Sequence, residues 1–197
     1  MRKFGLSLIA ALALTAPAHA LTLPSGGKLS FDVVRKGKDI GDHVYRFQGN
    51  ESDFTVKVVT DISVKVPLIR ATVYSFNHDS TEVWKGGKLQ HLTSKTDDDG
   101  TPHQLDTGAT GVLPASLWNE DTVRSKKLLN TIDGKIMKVR VADLGEDRVE
   151  TRSGVVAGHH YKISGGLERD LWYDASGNLA RVSFKAEDGS TVTYVRK

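Results

Sequence analysis

Six histidines follow residue 20 of this chain: His43, His78, His91, His103, His159 and His160. Imidazole titrates near neutrality and serves widely as base and metal ligand, so the first question is whether their spacing allows either role. No two stand four apart, as a helical zinc pair must, and there is no HExxH pattern. His159 and His160 are adjacent, and neighbours along a strand point to opposite faces, so they are poorly placed to share one ion. His159 lies on the apolar parity of its segment. That placement fits a half-buried, hydrogen-bonded imidazole better than a ligand or base.

The acidic run Asp97-Asp98-Asp99-Gly100 has the look of a calcium loop but not its spacing. Lys95 occupies the preceding alternate position, and the twelfth position counted from Asp97 is Gly108, not a bidentate glutamate. It reads as a solvated turn. No GxSxG elbow, Walker loop or dinucleotide fingerprint occurs, and spacing ties none of Asp121, Asp170 and Asp174 to another. With no cysteine in the chain, thiolate catalysis, thiolate zinc sites and disulfides are all excluded. No metal or cofactor is expected, no catalytic residue is assigned, and the balance leans away from an enzyme. A hydrolase or isomerase would have to use His159 or His91 with an aspartate near Trp118 or Trp172.

The large aromatics are more suggestive. Trp84, Trp118 and Trp172-Tyr173 stand beside Glu82, Asn119 and the pair Asp170/Asp174. A buried indole N–H needs an acceptor, so such residues often line the mouth of a cavity, although most tryptophans simply fill core. The candidate ligand-contacting set is Trp118, Asn119, Asn130, His159, Tyr161 and Trp172.

The elements that must position these groups are strands. Phe54, Val56, Val58, Ile62, Val64 and Val66 share one parity, with Thr60 interrupting it. Alternation over that length predicts a long half-buried strand in an antiparallel sheet, curved around a core; Pro67 would suit a bend, an edge or a bulge. Met137, Val139 and Val141 repeat the pattern, as do Val155, Ala157, His159, Tyr161 and Ile163, and then Ala180, Val182 and Phe184. Between the runs lie Gly86-Gly87, Asp99-Gly100, Asp133-Gly134, Gly165-Gly166, Ser176-Gly177-Asn178 and Asp188-Gly189, all suited to hairpin turns. From Thr101 to Asn130 the alternation fades. Leu113 to Glu120 there reads as a loop entering one helical turn, with Ser116 as its cap. The expected fold is all-β: a single-domain antiparallel meander rolled into an open or closed barrel, with one irregular insertion carrying a short helical turn.

Residues 1–20 read as a secretory signal peptide, with a basic start, an uncharged run from Phe4 to Ala16 and the cleavage pattern Ala18-His19-Ala20. That run is too short for a permanent membrane span. The mature part, 21–197, reads as one β-rich domain. Cleavage removes Arg2, Lys3 and no acid, lowering the formal charge from +3 to +1. So small a charge gives no electrostatic footprint for nucleic acid, and a cysteine-free chain has no site for lipid attachment. The expected location is the periplasm, free of a lipid anchor and not integral to the membrane.

Several motifs together resemble a known family. They are Phe31-Asp32-Val33, Gly41, His43-x-Tyr45-x-Phe47, Leu113-Pro114-x-Ser116-x-Trp118, Leu128-Leu129-Asn130 and Asp170-Leu171-Trp172-Tyr173-Asp174. Over about Leu29 to Val195 the chain is similar to a proteobacterial family of exported proteins known only as a domain of unknown function. The resemblance implies a spirally rolled antiparallel sheet, distantly akin to the open barrels of LolA- and LolB-like lipoprotein carriers. It brings no catalytic residues, and the lipid-attachment cysteine of LolB-like members is missing here. The leading functional expectation is a soluble periplasmic carrier for a lipid or other amphipathic ligand in a curved-sheet cavity. The alternatives are an envelope interaction or assembly protein with a filled barrel and, third, the histidine–aspartate enzyme.

Overall fold

The computed structural model describes residues 23–66 and 71–197. The segment 1–20 and the bend expected at Pro67 lie outside them. The strands are β1 (Lys28–Arg35), β2 (Lys38–Gly49), β3 (Asp53–Val66), β4 (Ala71–Lys85), β5 (Lys88–Asp98), β6 (Thr101–Gly108), β7 (Leu113–Pro114), β8 (Lys127–Leu129), β9 (Ile136–Thr151), β10 (Gly154–Gly165), β11 (Arg169–Asp174), β12 (Leu179–Lys185) and β13 (Thr191–Arg196). They form one sheet in the order β6-β5-β4-β3-β2-β1-β13-β12-β11-β10-β9-β8-β7, which rolls without closing. Pairing is antiparallel except for the short β7–β8 contact, which is parallel. The first and last long strands pair with each other, Phe31 opposite Arg196 and Val33 opposite Tyr194. The gap in the roll therefore falls between β6 and β7. Among the described residues, no helix is long and apolar enough to cross a membrane.

Period-two patterning explains the inner face. Phe54, Val56, Val58 and Ile62 of β3 are buried, as are Phe31 and Val33 of β1 and Leu171 and Tyr173 of β11. At Gly41 an added Cβ would meet the Asp61 carbonyl oxygen at 1.9 Å. Only glycine allows β2 and β3 to approach so closely there, next to the bulge between Val33 and Val34.

Three boundaries differ from the sequence expectation. Thr101–Gly108 is strand, because β6 is an edge whose half-buried positions carry His103 and Thr107 as well as Leu105, which blurs the apolar signal. The helical turn is a 3-10 turn at Glu120–Arg124 capped by Asn119, whose side chain accepts from the Asp121 N–H, so Ser116 is not its cap. Val155, on the parity expected to be buried, is exposed where the β9–β10 hairpin runs past the core. The tip of that hairpin is tied down instead by Arg152, which pairs with Asp32 at 2.6 Å and Asp39 at 2.5 Å.

The segment from Val112 to Leu129 plugs one half of the inner face, with Leu117, Trp118, Leu128 and Leu129 buried in the main core. Both walls of the roll grip it. Tyr45 of β2 donates to the Ser116 carbonyl at 2.5 Å, and Tyr173 of β11 donates to the Leu117 carbonyl at 2.8 Å. Leu117 is held at φ +69°, a costly conformation for a branched side chain that persists because its surroundings over-determine it. Glu82 of β4 makes the third attachment. Its Oε2 accepts from the indoles of Trp84 and Trp118, each at 2.9 Å.

Glu82 is fully buried, and its Oε1 has no hydrogen-bond partner of acceptable geometry. Burial pushes its pKa above the ordinary 4.5, with smaller opposing contributions from Ser116, Trp118 and Trp84. An acid with a raised folded-state pKa takes up a proton on folding. Its stability contribution is therefore lost as pH rises above about 4.5 toward the folded value. Glu82→Gln, which keeps an acceptor, should raise Tm at pH 7 and show little effect at pH 4. Glu82→Leu strands two indole donors and should cost about 2 kcal/mol or more relative to the glutamine variant. Thermal melts across that range check both, and superimposable wild-type and glutamine profiles would contradict the buried acid.

Candidate functional site

The plug leaves the other half of the inner face open. There Val33, Ile62 and Val192 are buried, while Ile40, Val64, Tyr74, Phe76, Phe184 and Tyr194 around them are only half-buried. These side chains come from β1–β4, β12 and β13, whose inward parities converge where β1 meets β13. The result is an apolar, aromatic wall that the chain does not fully cover.

A polar row crosses the sheet beside this wall. His43, Thr60, His78, Thr96 and His103 are successive cross-strand partners on β2 to β6. His43 Nδ1 lies 2.6 Å from the Thr60 hydroxyl and His78 Nδ1 lies 2.7 Å from that of Thr96. Thr60, which interrupts the apolar alternation of β3, is thus the polar partner of a buried histidine. Burial, reinforced by nearby His78, drives the His43 pKa down to about 3. Burial also lowers that of His78, against an opposing pull from Asp79. Both imidazoles are neutral at pH 7, and His43 Nε2 has no hydrogen-bond partner.

Tyr194 joins this row to the aromatic wall. Its ring centroid is 4.9 Å from that of His43 and 5.9 Å from that of Phe184. Over Phe184, 3.9 Å from the ring centroid, sits the guanidinium of Arg169, a cation–π contact. Arg169, Tyr194 and Phe184 all stand on inward parities.

The six residues anticipated from sequence do not form one site. Trp118 is buried in the plug on Glu82, and Asn119 caps the 3-10 turn next to it. Asn130 folds its own turn, with Oδ1 accepting from the Ile132 N–H. His159 and Tyr161 stack at 4.7 Å, and the His159 nitrogens lie 2.5 Å from Asp143 and 3.0 Å from Glu146. Those two carboxylates raise its pKa. Trp172 stacks on His160 at 4.1 Å and donates to Asp147. His160 pairs with Asp170 at 2.9 Å and His91 with Asp106 at 3.1 Å. Among the described residues, none of these three imidazole–carboxylate pairs holds a serine or threonine hydroxyl. The two histidines that do bond a hydroxyl, His43 and His78, have no orienting carboxylate on the other nitrogen. A nucleophile, a base and an orienting group are not assembled in one place. Nor do the described residues contain a group of three or more histidines and acids able to hold a metal.

A cavity of about 570 Å³ lies over β3–β6. It is lined by exposed residues, among them Asp61, Asn77, Asp79, Lys95, Asp97 and Gln104, and by Thr60, His78, Thr96 and His103 of the polar row. Its Asp79 is already paired to Lys57 at 3.2 Å. Sequence reasoning did not single out His43, Arg169, Phe184 and Tyr194 as candidate site residues. Polar residues on an apolar parity, Thr60 foremost, were the available signal.

The buried His43 has a measurable consequence. A base whose folded pKa is lowered must be charged on unfolding, so its stability contribution is lost as pH falls from 6.5 toward about 3. His43→Gln should flatten the fall in Tm between pH 6.5 and 4, leaving a smaller slope of the same sign from His78. Equal slopes in wild type and variant would contradict a neutral, buried His43.

No curated protein and no solved structure matches the chain. A family model does match, over residues 31–197, which takes in the sheet from the middle of β1 to the end of β13. With that span covered, the chain belongs to the DUF6134 family, a domain of unknown function.

Proposed function

We propose that this chain is a soluble carrier, exported to the periplasm on residues 1–20, that holds an amphipathic molecule against the open half of its rolled sheet. One observation carries the proposal: the plug fills half of the inner face, and the aromatic wall of the other half stays partly uncovered. An apolar tail laid on that wall gains about 0.8 kcal/mol per buried methylene. Some ten methylenes give about 8 kcal/mol before the costs of ordering and association. On that scale about 8 kcal/mol corresponds to a micromolar Kd, the tightest that the tail alone can supply, so a tighter complex needs contacts beyond those ten methylenes. A rolled but unclosed sheet gives such a tail a way in from the side, the architecture for which kinship to LolA- and LolB-like carriers is inferred.

The alternatives draw less support. The exposed large apolar residues are spaced along their strands, Val73 and Val83 ten positions apart on β4, Ile136 and Leu144 eight apart on β9, and Val155 at the β9–β10 hairpin, whereas an assembly interface calls for a contiguous patch. The imidazole–carboxylate pairs lack a neighbouring hydroxyl nucleophile.

The test is ligand occupancy. Native mass spectrometry of protein released from the cell envelope without detergent should show a non-covalent adduct of lipid size. The neutral dye N-phenylnaphthylamine should brighten on binding, with a Kd in the micromolar range. Phe76→Asp, which puts a charge on the wall, should weaken dye binding about tenfold or more, whereas Val155→Asp at the exposed hairpin should not. Protein that is free of adduct and also fails to bind the dye would refute the carrier role.

A further inference from the structure

Arg169 stands on the inner face against the open wall, and what surrounds it is unbalanced, whereas Arg35, opposite Val192 on the same face, is paired with Asp188 at 2.8 Å. A guanidinium has five N–H donors, and here one nitrogen, Nη1, donates at 2.8 Å to the carbonyl of Glu168. Among the described residues, no carboxylate lies within ion-pair distance of it. Neighbouring acids are committed elsewhere: Glu168 accepts from the Gly165 N–H, and Asp170 is taken by His160 and Lys162. The face of Phe184 below supplies a cation–π contact but no anion. Burial lowers the Arg169 pKa, as expected for a desolvated charge without a counter-ion. One further polar group, reached from Arg169 through Phe184 and Tyr194, is also unfulfilled. His43, whose ring packs on that of Tyr194, leaves Nε2 buried and without a partner.

A folded protein rarely keeps a desolvated cation and polar atoms in one cluster without partners. Yet Arg169 is not sealed in. Its remaining nitrogens are not among the fully enclosed, unsatisfied atoms, in contrast to Nε of Arg181. It stands at the rim of an apolar wall with donors to spare, and its planar fork suits a carboxylate or phosphate. Resting on the carrier role above, we propose that Arg169 and Tyr194 form the head-group seat of the trough, and that the cargo is an anionic amphiphile whose carboxylate or phosphate completes the cluster while its tail lies along Phe184, Phe76 and Tyr74.

The test compares charged and uncharged heads on one tail. Cis-parinaric acid and its methyl ester, titrated by fluorescence at a pH where the acid is ionised, should differ at least about tenfold in affinity, the acid binding tighter. In Arg169→Gln that ratio should collapse to about one, and Arg169→Lys, which keeps the charge but loses the fork, should restore part of it. A pyrene-labelled lysophosphatidate run in parallel separates the two anion sources, since the tighter of the acid and the lysophosphatidate identifies the preferred head. Because the variant removes a desolvated charge, its Tm should be equal to or above that of wild type. Equal binding of acid and ester would overturn the anionic head and leave the carrier role standing, whereas failure of every probe to bind would remove the carrier role itself. A preference that survives in Arg169→Gln, or a lowered Tm with no change in the ratio, would show that the arginine is structural and overturn the proposal.

Discussion

One buried carboxyl oxygen holds the two largest side chains of the core to a single strand. Glu82 Oε2 accepts from Trp84 on its own strand and from Trp118, 36 residues further along. Without an acceptor at that point, two indole N–H groups would be enclosed with nothing to bond, and the plug would lose its central attachment. The tyrosine bonds to the carbonyls of Ser116 and Leu117 then fix the same segment from opposite walls. This arrangement sets how far the plug extends over the inner face and so leaves the region near Tyr194 uncovered. The fold's acidic anchor and its open wall are two outcomes of one placement.

The inner face carries buried polar groups beside its apolar core, and they act in opposite directions. The raised pKa of Glu82 favours the folded state toward acid, while the lowered pKa values of His43 and His78 favour it toward neutrality. The two histidines can remain neutral because threonine hydroxyls on adjacent strands meet one nitrogen of each. Such pairs occupy a packed sheet position at little cost, since a satisfied buried polar group avoids most of its desolvation penalty. The orphaned Nε2 of His43 is the exception, and it lies next to the one aromatic ring that links the polar row to Arg169.

Much of the architecture was legible in the chain. The parity run from Phe54 to Val66 is β3 almost to the residue, and each of the six glycine-containing turn signals falls at a strand end or between strands. An all-β roll with one irregular insertion followed from those features. The site was harder to see. Alternation reports which face a side chain takes, not which distant strand stands opposite, so nothing local links Glu82 to Trp118 or Arg169 to Phe184. The long β9–β10 hairpin misled for a related reason: its apolar parity continues through Val155, beyond the end of the core it would have joined. Thr60 was the informative irregularity. A threonine where valine is expected marks a position with a hydrogen-bonding partner across the sheet.

The pairing of β1 with β13 puts the last of the described strands near the middle of the sheet. The ribbon β1–β6 and the ribbon β9–β13 can each form from neighbouring hairpins, but they join along a seam whose two sides are about 160 positions apart in sequence. Closing so long a loop is slow compared with forming hairpins. Until it closes, Phe31, Val33, Val182 and Val192 face water in two separate halves. Such a chain stays unfinished until synthesis has passed Thr191, so the two halves must persist as separate ribbons until the seam can zip.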